Sequence, residues 1–259
     1  MRKALVVCVL VCLMTTVVFA QTQDAKDNSK AAGSTQAAGT VPDRAQEAQE
    51  AKDNSKAIDR VEAAGTVLDE IQAAPDNRVP EEVLASAECV AVVPSLIKGG
   101  FIFGARYGRG VATCRTEKGW SAPAFFTIGG GSFGLQIGGQ AVDLVMLIMN
   151  KNGMDRLLSS QFKLWADASA AAGPVGRHAS ADTDWKMRAE VLTYSRARGL
   201  FAGLELAGAV IKQDKDSTRD FYGRMVPFKT SLRGNIEAPQ SAYPFLSTVA
   251  KWAKEAEKK

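Results

Sequence analysis

Over most of residues 79–223 the pattern is that of strands, as short apolar runs or as alternation at a period of two. Only toward the two ends do apolar side chains recur at three- and four-residue spacing. The shorter period predicts strands at Cys89–Val93 (stopped by Pro94), Phe101–Arg106, Gly110–Arg115, Ala122–Ile128, Ser132–Ile137, Ala141–Met149, Lys163–Ala170, Met187–Ser195 and Leu200–Ile211. Tyr107-Gly108-Arg109 reads as a hairpin tip, and Lys118-Gly119 as the next turn. A helix is expected at about 56–73, where Ile58, Val61, Leu68 and Ile71 recur at helical spacing, ended by Pro75-Asp76-Asn77. Pro80-Glu81-Glu82 opens a short helix, Asn152 caps one reaching about Ser160, and Ser217–Tyr222 forms another before Gly223. Pro244–Glu257 closes the chain, with Phe245, Leu246, Val249 and Trp252 on one face. The fold class is α+β: a mostly antiparallel, strongly curved sheet, sandwich or barrel-like, flanked by helices at the N- and C-terminal ends.

The leader is duplicated. AKDNSKA stands at 25–31 and 51–57, AAGTV at 37–41 and 63–67, both at an offset of 26 residues. Two copies are too few for a solenoid. The first copy holds Gly33, Ser34, Thr35 and Pro42 and almost no large apolar side chain, so 21–55 reads as a disordered acidic spacer. In the second, Ile58, Val61 and Leu68 replace Ala32, Thr35 and Pro42, so a domain spanning 56–259 starts there. Residues 1–20 read as a signal peptide: Arg2 and Lys3, then an apolar run, then Val18-Phe19-Ala20 for cleavage after Ala20. Val11 before Cys12 is too bulky for a lipobox. A periplasmic or secreted location is expected.

Residues 21–77 carry six basic and eleven acidic side chains, whereas 78–259 carry twenty-four and seventeen. A basic body behind an acidic leader suits an anionic partner, and equally serves solubility alone. Cys89 and Cys114 survive cleavage, as one disulfide or as two buried thiols. With one histidine, His178, and no C-x-x-C, no metal and no cofactor is expected.

TIGGGSFGLQIGGQ (127–140) fits two catalytic patterns at once. Gly129-x-Gly131-x-x-Gly134 matches the dinucleotide fingerprint, and Gly130-Gly131-Ser132-Phe133-Gly134 the nucleophile elbow. Both demand a helix after the glycines, yet Phe133, Leu135 and Ile137 alternate with Gly134, Gln136 and Gly138, which is strand. A hydrolase with Ser132, Asp167 and His178 is therefore the weakest alternative, and the glycines read as bends or close approaches.

Several stretches resemble the SYLF family: Ile97-Lys98-Gly99-Gly100-Phe101, Gly108-Arg109-Gly110, Trp120–Phe125 and the glycine stretch. Ala172-Gly173-Pro174-Val175-Gly176-Arg177, Tyr194-Ser195-Arg196-x-Arg198-Gly199-Leu200-Phe201-Ala202-Gly203 and Tyr222-Gly223 continue it in order. The likeness runs from about Pro80 to Gly223, excluding the leader and the last thirty-odd residues. One departure is Glu205-Leu206-Ala207-Gly208, where the family commonly has Ser-Leu-Glu-Gly, so no role of that glutamate transfers to Ala207.

The resemblance implies lipid binding without catalysis, in a family tied in eukaryotes to phosphoinositides and actin. Lys98, Arg106, Arg109, Arg196 and Arg198 lie in or beside glycine-rich segments where cationic ends reach phosphates, and arginine suits bidentate contact. Leu96, Ile97, Phe101 and Phe201 are the candidates for apolar insertion. Ordinary solvated charges beside core aromatics are the plain alternative. The expected function is an exported, non-enzymatic protein binding anionic membrane lipid, with no nucleic-acid partner. A structural or protein-interaction module of the cell envelope is the competing reading.

Overall fold

The computed structural model describes residues 44–74, 78–100, 103–133, 138–159, 161–164, 170–174, 189–197, 200–202, 206 and 208–257. The signal peptide, most of the spacer, the Pro75-Asp76-Asn77 stop, Phe101, Asp167, His178, Arg198, Glu205 and Ala207 lie outside them, as does the expected strand Ser132–Ile137 beyond Phe133.

Helix α1 (Arg44–Ala73) precedes the short α2 (Glu81–Ala85). Strands β1 (Cys89–Gly100) and β2 (Phe103–Thr116) then pair antiparallel, with a small hairpin partner β3 (Gly119–Trp120) on β2. Strands β4 (Ala124–Phe133) and β5 (Gly138–Ile148) pair with β2 and β1 respectively. The spatial order β5-β1-β2-β4 is a Greek key. Helix α3 (Lys151–Leu158) follows, then β6 (Gln161–Lys163), β7 (Ala170–Ala172), β8 (Val191–Ala197), β9 (Leu200–Ala202) and β10 (Val210–Gln213). Helices α4 (Lys215–Tyr222), α5 (Phe228–Leu232) and α6 (Tyr243–Glu257) complete the domain.

Among the described residues one sheet has the order β6-β10-β4-β2-β1-β5-β8-β7, and β7–β8 is its parallel pair. Its curvature follows from chain reach. Leu164, bonded to Ala209 beside one edge, and Ala170, on the other edge, are six peptide steps apart. Six steps span at most about 21 Å, whereas eight strands laid flat would be about 34 Å wide. The sheet must curl, giving the half-barrel with helices at both ends that the pattern of periods predicts.

Both faces are covered, and alternate residues feed two cores. Cys89, Ala91, Val93, Phe126, Leu144 and Met146 point toward α3 and α5. Val90, Val92, Val111, Phe125, Val145 and Leu147 point toward α1, α2 and α6. We call these the α3 face and the α1 face. Burial on both sides is why Cys89–Val93 is a continuous apolar run. Cys89 and Cys114 are register partners on the α3 face, joined by a disulfide.

Several boundaries differ from expectation. Alpha1 begins at Arg44, twelve residues before the expected start; Ala, Gln and Glu favour helix there, and Gln49 and Lys56 both donate to Asp53. Its packing does begin where expected, at Ala57, followed by Val61, Ala64, Leu68 and Ile71. Asn150, not Asn152, caps α3 by accepting from Gly153 N at 2.9 Å. The single strand expected over Leu200–Ile211 is two, on different parts of the sheet. A short α5 stands between Gly223 and Pro244, where the pattern predicts no element.

The largest correction concerns Pro94 and Tyr107-Gly108-Arg109. Beta1 does not stop at Pro94, and β2 runs straight through the expected hairpin tip. The partner sum shifts by one between Val92↔Val111 and Ile97↔Tyr107, and again between Val93↔Leu144 and Leu96↔Val142 against β5. This is a β-bulge at Pro94-Ser95, the setting in which an interior strand tolerates proline. Ser95 has φ 56° and its freed N–H donates to Asp143 Oδ1 at 3.0 Å. Gly108 and Gly110 are flat because the bulge presses on them. A Cβ on Gly108 would lie 2.6 Å from Val93 Cγ1, and one on Gly110 2.5 Å from the Val92 carbonyl oxygen.

Candidate functional site

The ends of β1, β4 and β8 and the starts of β2, β5 and β9 meet at one end of the sheet, where the glycines concentrate. Backbone register sets successive rows across four strands there. Gln140, Lys98, Arg106 and Gly130 form one; Gly139, Gly99, Ala105 and Gly131 form the next. Lys98 and Arg106 are thus direct cross-strand neighbours, in line with Leu96 and Gly108 on the α3 face.

Both cations are drawn back from water. Arg106 is 9% exposed and its Nη2 reaches the Gly131 carbonyl at 3.5 Å. Lys98 is half-buried, and burial first, then the Arg106 charge, pulls its ammonium below the usual lysine value. Among the described residues no carboxylate pairs with Lys98. Like charges directly opposite each other on one face destabilise a sheet, and the Lys98 ammonium stands in that position opposite Arg106.

None of Gly129, Gly130 and Gly131 has positive φ, and all three lie inside β4. A Cβ on Gly130 would sit 3.0 Å from Ala209 Cα and 3.1 Å from the Gly208 carbonyl oxygen, so Gly130 lets that segment lie against the strand. The expected bends are absent from this part of the stretch; Gly130 makes a close approach, while a Cβ on Gly129 or Gly131 would meet only ordinary contacts at 3.8 Å. Gly138 opens β5, not a helix. Ser132 lies within β4, not at an elbow. Among the described residues no cluster of His, Cys, Asp and Glu forms a metal site.

The other expected cations lie elsewhere. Arg109, three rows back from Arg106 and on the α1 face, donates from Nε to Tyr107 Oη at 3.1 Å and stands 3.7 Å from Asp214. Asp214 caps α4 by accepting from Ser217 N at 3.1 Å, and lies 3.7 Å from Arg60 of α1. Arg196, opposite Asp143 on β8, donates to Asp143 Oδ2 at 3.1 Å and to Glu70 of α1. Phe201 belongs to β9; its side chain is not described. Leu96 is fully buried and cannot insert into lipid, whereas Ile97 is 60% exposed. Tyr107, 50% exposed beside Ile97, is the residue that sequence reading missed; treating Gly108 as a turn hid its place in a strand.

A family model described as "Ysc84: Las17-binding protein actin regulator" matches residues 129–252. The SH3 domain-containing YSC84-like protein 1 of Rattus norvegicus is 34% identical over 170 residues, 65% of this chain and 50% of that protein. Its Xenopus laevis counterpart is 36% identical over 152 residues, 58% of this chain and 45% of that protein. Protein YSC84 of Saccharomyces cerevisiae is 32% identical over 177 residues, 66% of this chain and 37% of that protein. The chain spans about half or less of the length of these curated relatives. This chain thus matches the Ysc84 (SYLF) domain family in the family model over residues 129–252 and in its identity to these relatives over 152 to 177 residues.

Proposed function

We propose that this domain is a non-enzymatic binding module whose glycine-rich end takes the phosphate of an anionic membrane lipid between Lys98 and Arg106. The observation that carries the reading is their direct cross-strand pairing on one face, withdrawn from water, with glycines on the flanking row. A phosphate there receives charge-assisted hydrogen bonds from both, and arginine supplies a planar fork. Each cation near an anionic surface is worth about 1 kcal/mol. The matched family is described as an actin regulator, not as an enzyme. Among the described residues no helix is long and apolar enough to cross a membrane, so association through the sheet is the mode we favour. Export through residues 1–20 belongs to the same proposal.

Co-sedimentation of the full chain with phosphatidylcholine vesicles, with and without phosphatidylserine or phosphatidic acid, tests it. The expected result is salt-sensitive pelleting with anionic vesicles that falls about fivefold in Lys98→Gln and further in Lys98→Gln/Arg106→Gln. Equal pelleting of parent and double variant would remove the site. Inorganic phosphate as competitor separates a free-phosphate site from a lipid one. The family description favours a second reading, a protein-binding module. Tight capture of a defined protein partner by a chain that ignores every vesicle would establish it instead.

A further inference from the structure

On the opposite face, one residue from the cation pair, Ile97 and Tyr107 are again direct cross-strand partners, in the row Ala141–Ile97–Tyr107–Gly129. Among the described residues four large apolar side chains are exposed: Ile97, Tyr107, Met225 and Tyr243. Two of the four touch this one row, and their neighbours Gly99, Ala105, Gly131, Gly139 and Ala141 present almost no side chain. The polarity also changes along the strands. Charges sit at Lys98, Arg106, Arg109 and Asp143, while the sequence from 99 to 105 and from 128 to 142 contains none. Tyr107 follows the same direction, because its hydroxyl meets Arg109 on the side away from the uncharged end.

We infer that the α1-face strip centred on Ile97 and Tyr107 is a lipid-contacting surface, so that the sheet meets the membrane end-on. This rests on the headgroup reading above. The occupant is the interfacial layer of a bilayer, and the reason lies in alternation. Lys98 and Ile97, like Arg106 and Tyr107, are consecutive residues, about 3.3 Å apart along the strand and on opposite faces. A phosphate held by Lys98 and Arg106 therefore leaves Ile97 and Tyr107 within about 3.3 Å of the same depth, and the sequence toward the strand ends, 99–105 and 131–139, carries no charge. Tyrosine has an apolar body and a polar tip, which suits that boundary.

The test uses the full chain and phosphatidylcholine vesicles containing phosphatidylserine. Ile97→Asp and Tyr107→Asp are each expected to weaken binding about tenfold, with melting temperatures near the parent's. Met225→Asp and Tyr243→Asp, the same change at the other two exposed apolar sites, are expected to stay within about twofold. Tyr107→Trp should gain fluorescence quenched by brominated acyl chains, beyond the quenching of the parent. If Ile97→Asp and Tyr107→Asp bind like the parent while Lys98→Gln loses binding, this inference falls and the headgroup reading stands. If neither set matters, both fall. If Ile97→Asp leaves vesicle binding intact and instead abolishes self-association in sedimentation velocity, the strip is a contact between copies and the inference is wrong.

Discussion

Glycine 110 offers a quantitative check on whether the glycines beside Arg109 bend the chain or let two strands approach. A methyl on Gly110 would lie 2.5 Å from the Val92 carbonyl oxygen and 2.6 Å from Phe126 Cζ. Ordinary contact begins near 3.4 Å, so Gly110→Ala forces β1 and the Phe126 ring back by roughly 0.9 Å. The obstacle is backbone on one side and a fully buried ring on the other, so neither yields freely. Overpacking of this kind costs about 1–3 kcal/mol, and we expect the upper end. For a domain of this size each kcal/mol lowers Tm by about 2–4 °C, so the drop should be roughly 6–12 °C.

Gly131→Ala is the internal control. Its nearest neighbour would be the Gly104 carbonyl oxygen at 3.8 Å, an ordinary contact, and its φ is not positive. There the smaller entropy of the unfolded chain should raise stability by about 0.4–1 kcal/mol. Gly110→Asn separates the two explanations further. A turn with positive φ tolerates asparagine better than alanine, whereas a close approach rejects it more strongly because it is larger. Thermal unfolding followed by circular dichroism reads all three. The reasoning fails if Gly110→Asn is milder than Gly110→Ala, or if Gly131→Ala is as damaging as Gly110→Ala.

The same structure implies three further outcomes. Lys98→Met removes a half-buried charge facing Arg106 and should raise the Tm of the ligand-free protein by about 1–4 °C, from roughly 0.5–1 kcal/mol of relieved repulsion, while vesicle binding falls; a lower Tm would mean Lys98 has a stabilising partner. Burial raises the Tyr222 phenol to about 12, and its hydroxyl donates to the Pro123 carbonyl at 2.6 Å. A phenol raised on folding contributes stability fully present below its unfolded value near 10 and lost as pH climbs toward 12, so denaturation midpoints should decline across that window, and less steeply in Tyr222→Phe. Asp143→Ala should reduce vesicle affinity several-fold without touching lipid, because it removes the acceptor that holds the Ser95 bulge; unchanged affinity would detach the bulge from the site.

Much of the secondary structure was legible because local periodicity records it. Lys215–Tyr222 carries its cap Asp214 and its left-handed Gly223, φ 65°, and α6 shows its apolar face directly. The packing start of α1 at Ala57 was visible as the point where the duplicated unit exchanges small and polar residues for Val61 and Leu68. What local pattern could not show is which charges meet across the chain. Arg60 finds Asp214, and Glu70 finds Arg196, over separations that no periodic signal spans. Five cations therefore looked alike in sequence, although the structure pairs Arg109 and Arg196 with carboxylates and leaves Lys98 without one among the described residues. The Pro94 misreading has the same origin, since proline in a strand is a stop signal unless the neighbouring strands supply a bulge.

That bulge decides which face the site occupies. Before it, Val90 and Val92 face α1, so an unbroken alternation would put Lys98 on the α1 face as well. The extra residue at Pro94-Ser95 reverses the alternation, aligns Lys98 with Leu96, and brings it opposite Arg106 instead of Ala105. The same reversal turns Ile97 outward next to Tyr107. A serine at φ 56° is costly for an L-residue with a side chain, by about 1–2 kcal/mol. The offset comes from Asp143, which accepts the Ser95 N–H and is itself held by Arg196, whose same Nη2 also donates to Glu70. In the proposed site Arg196 would therefore act through Asp143 and the backbone of β1, as a positioning residue. A ligand role for it would require breaking the contacts that keep Lys98 in place. Ser95→Gly should accordingly preserve vesicle binding even in an Asp143→Ala background, because glycine adopts positive φ without help, whereas Ser95→Val should not.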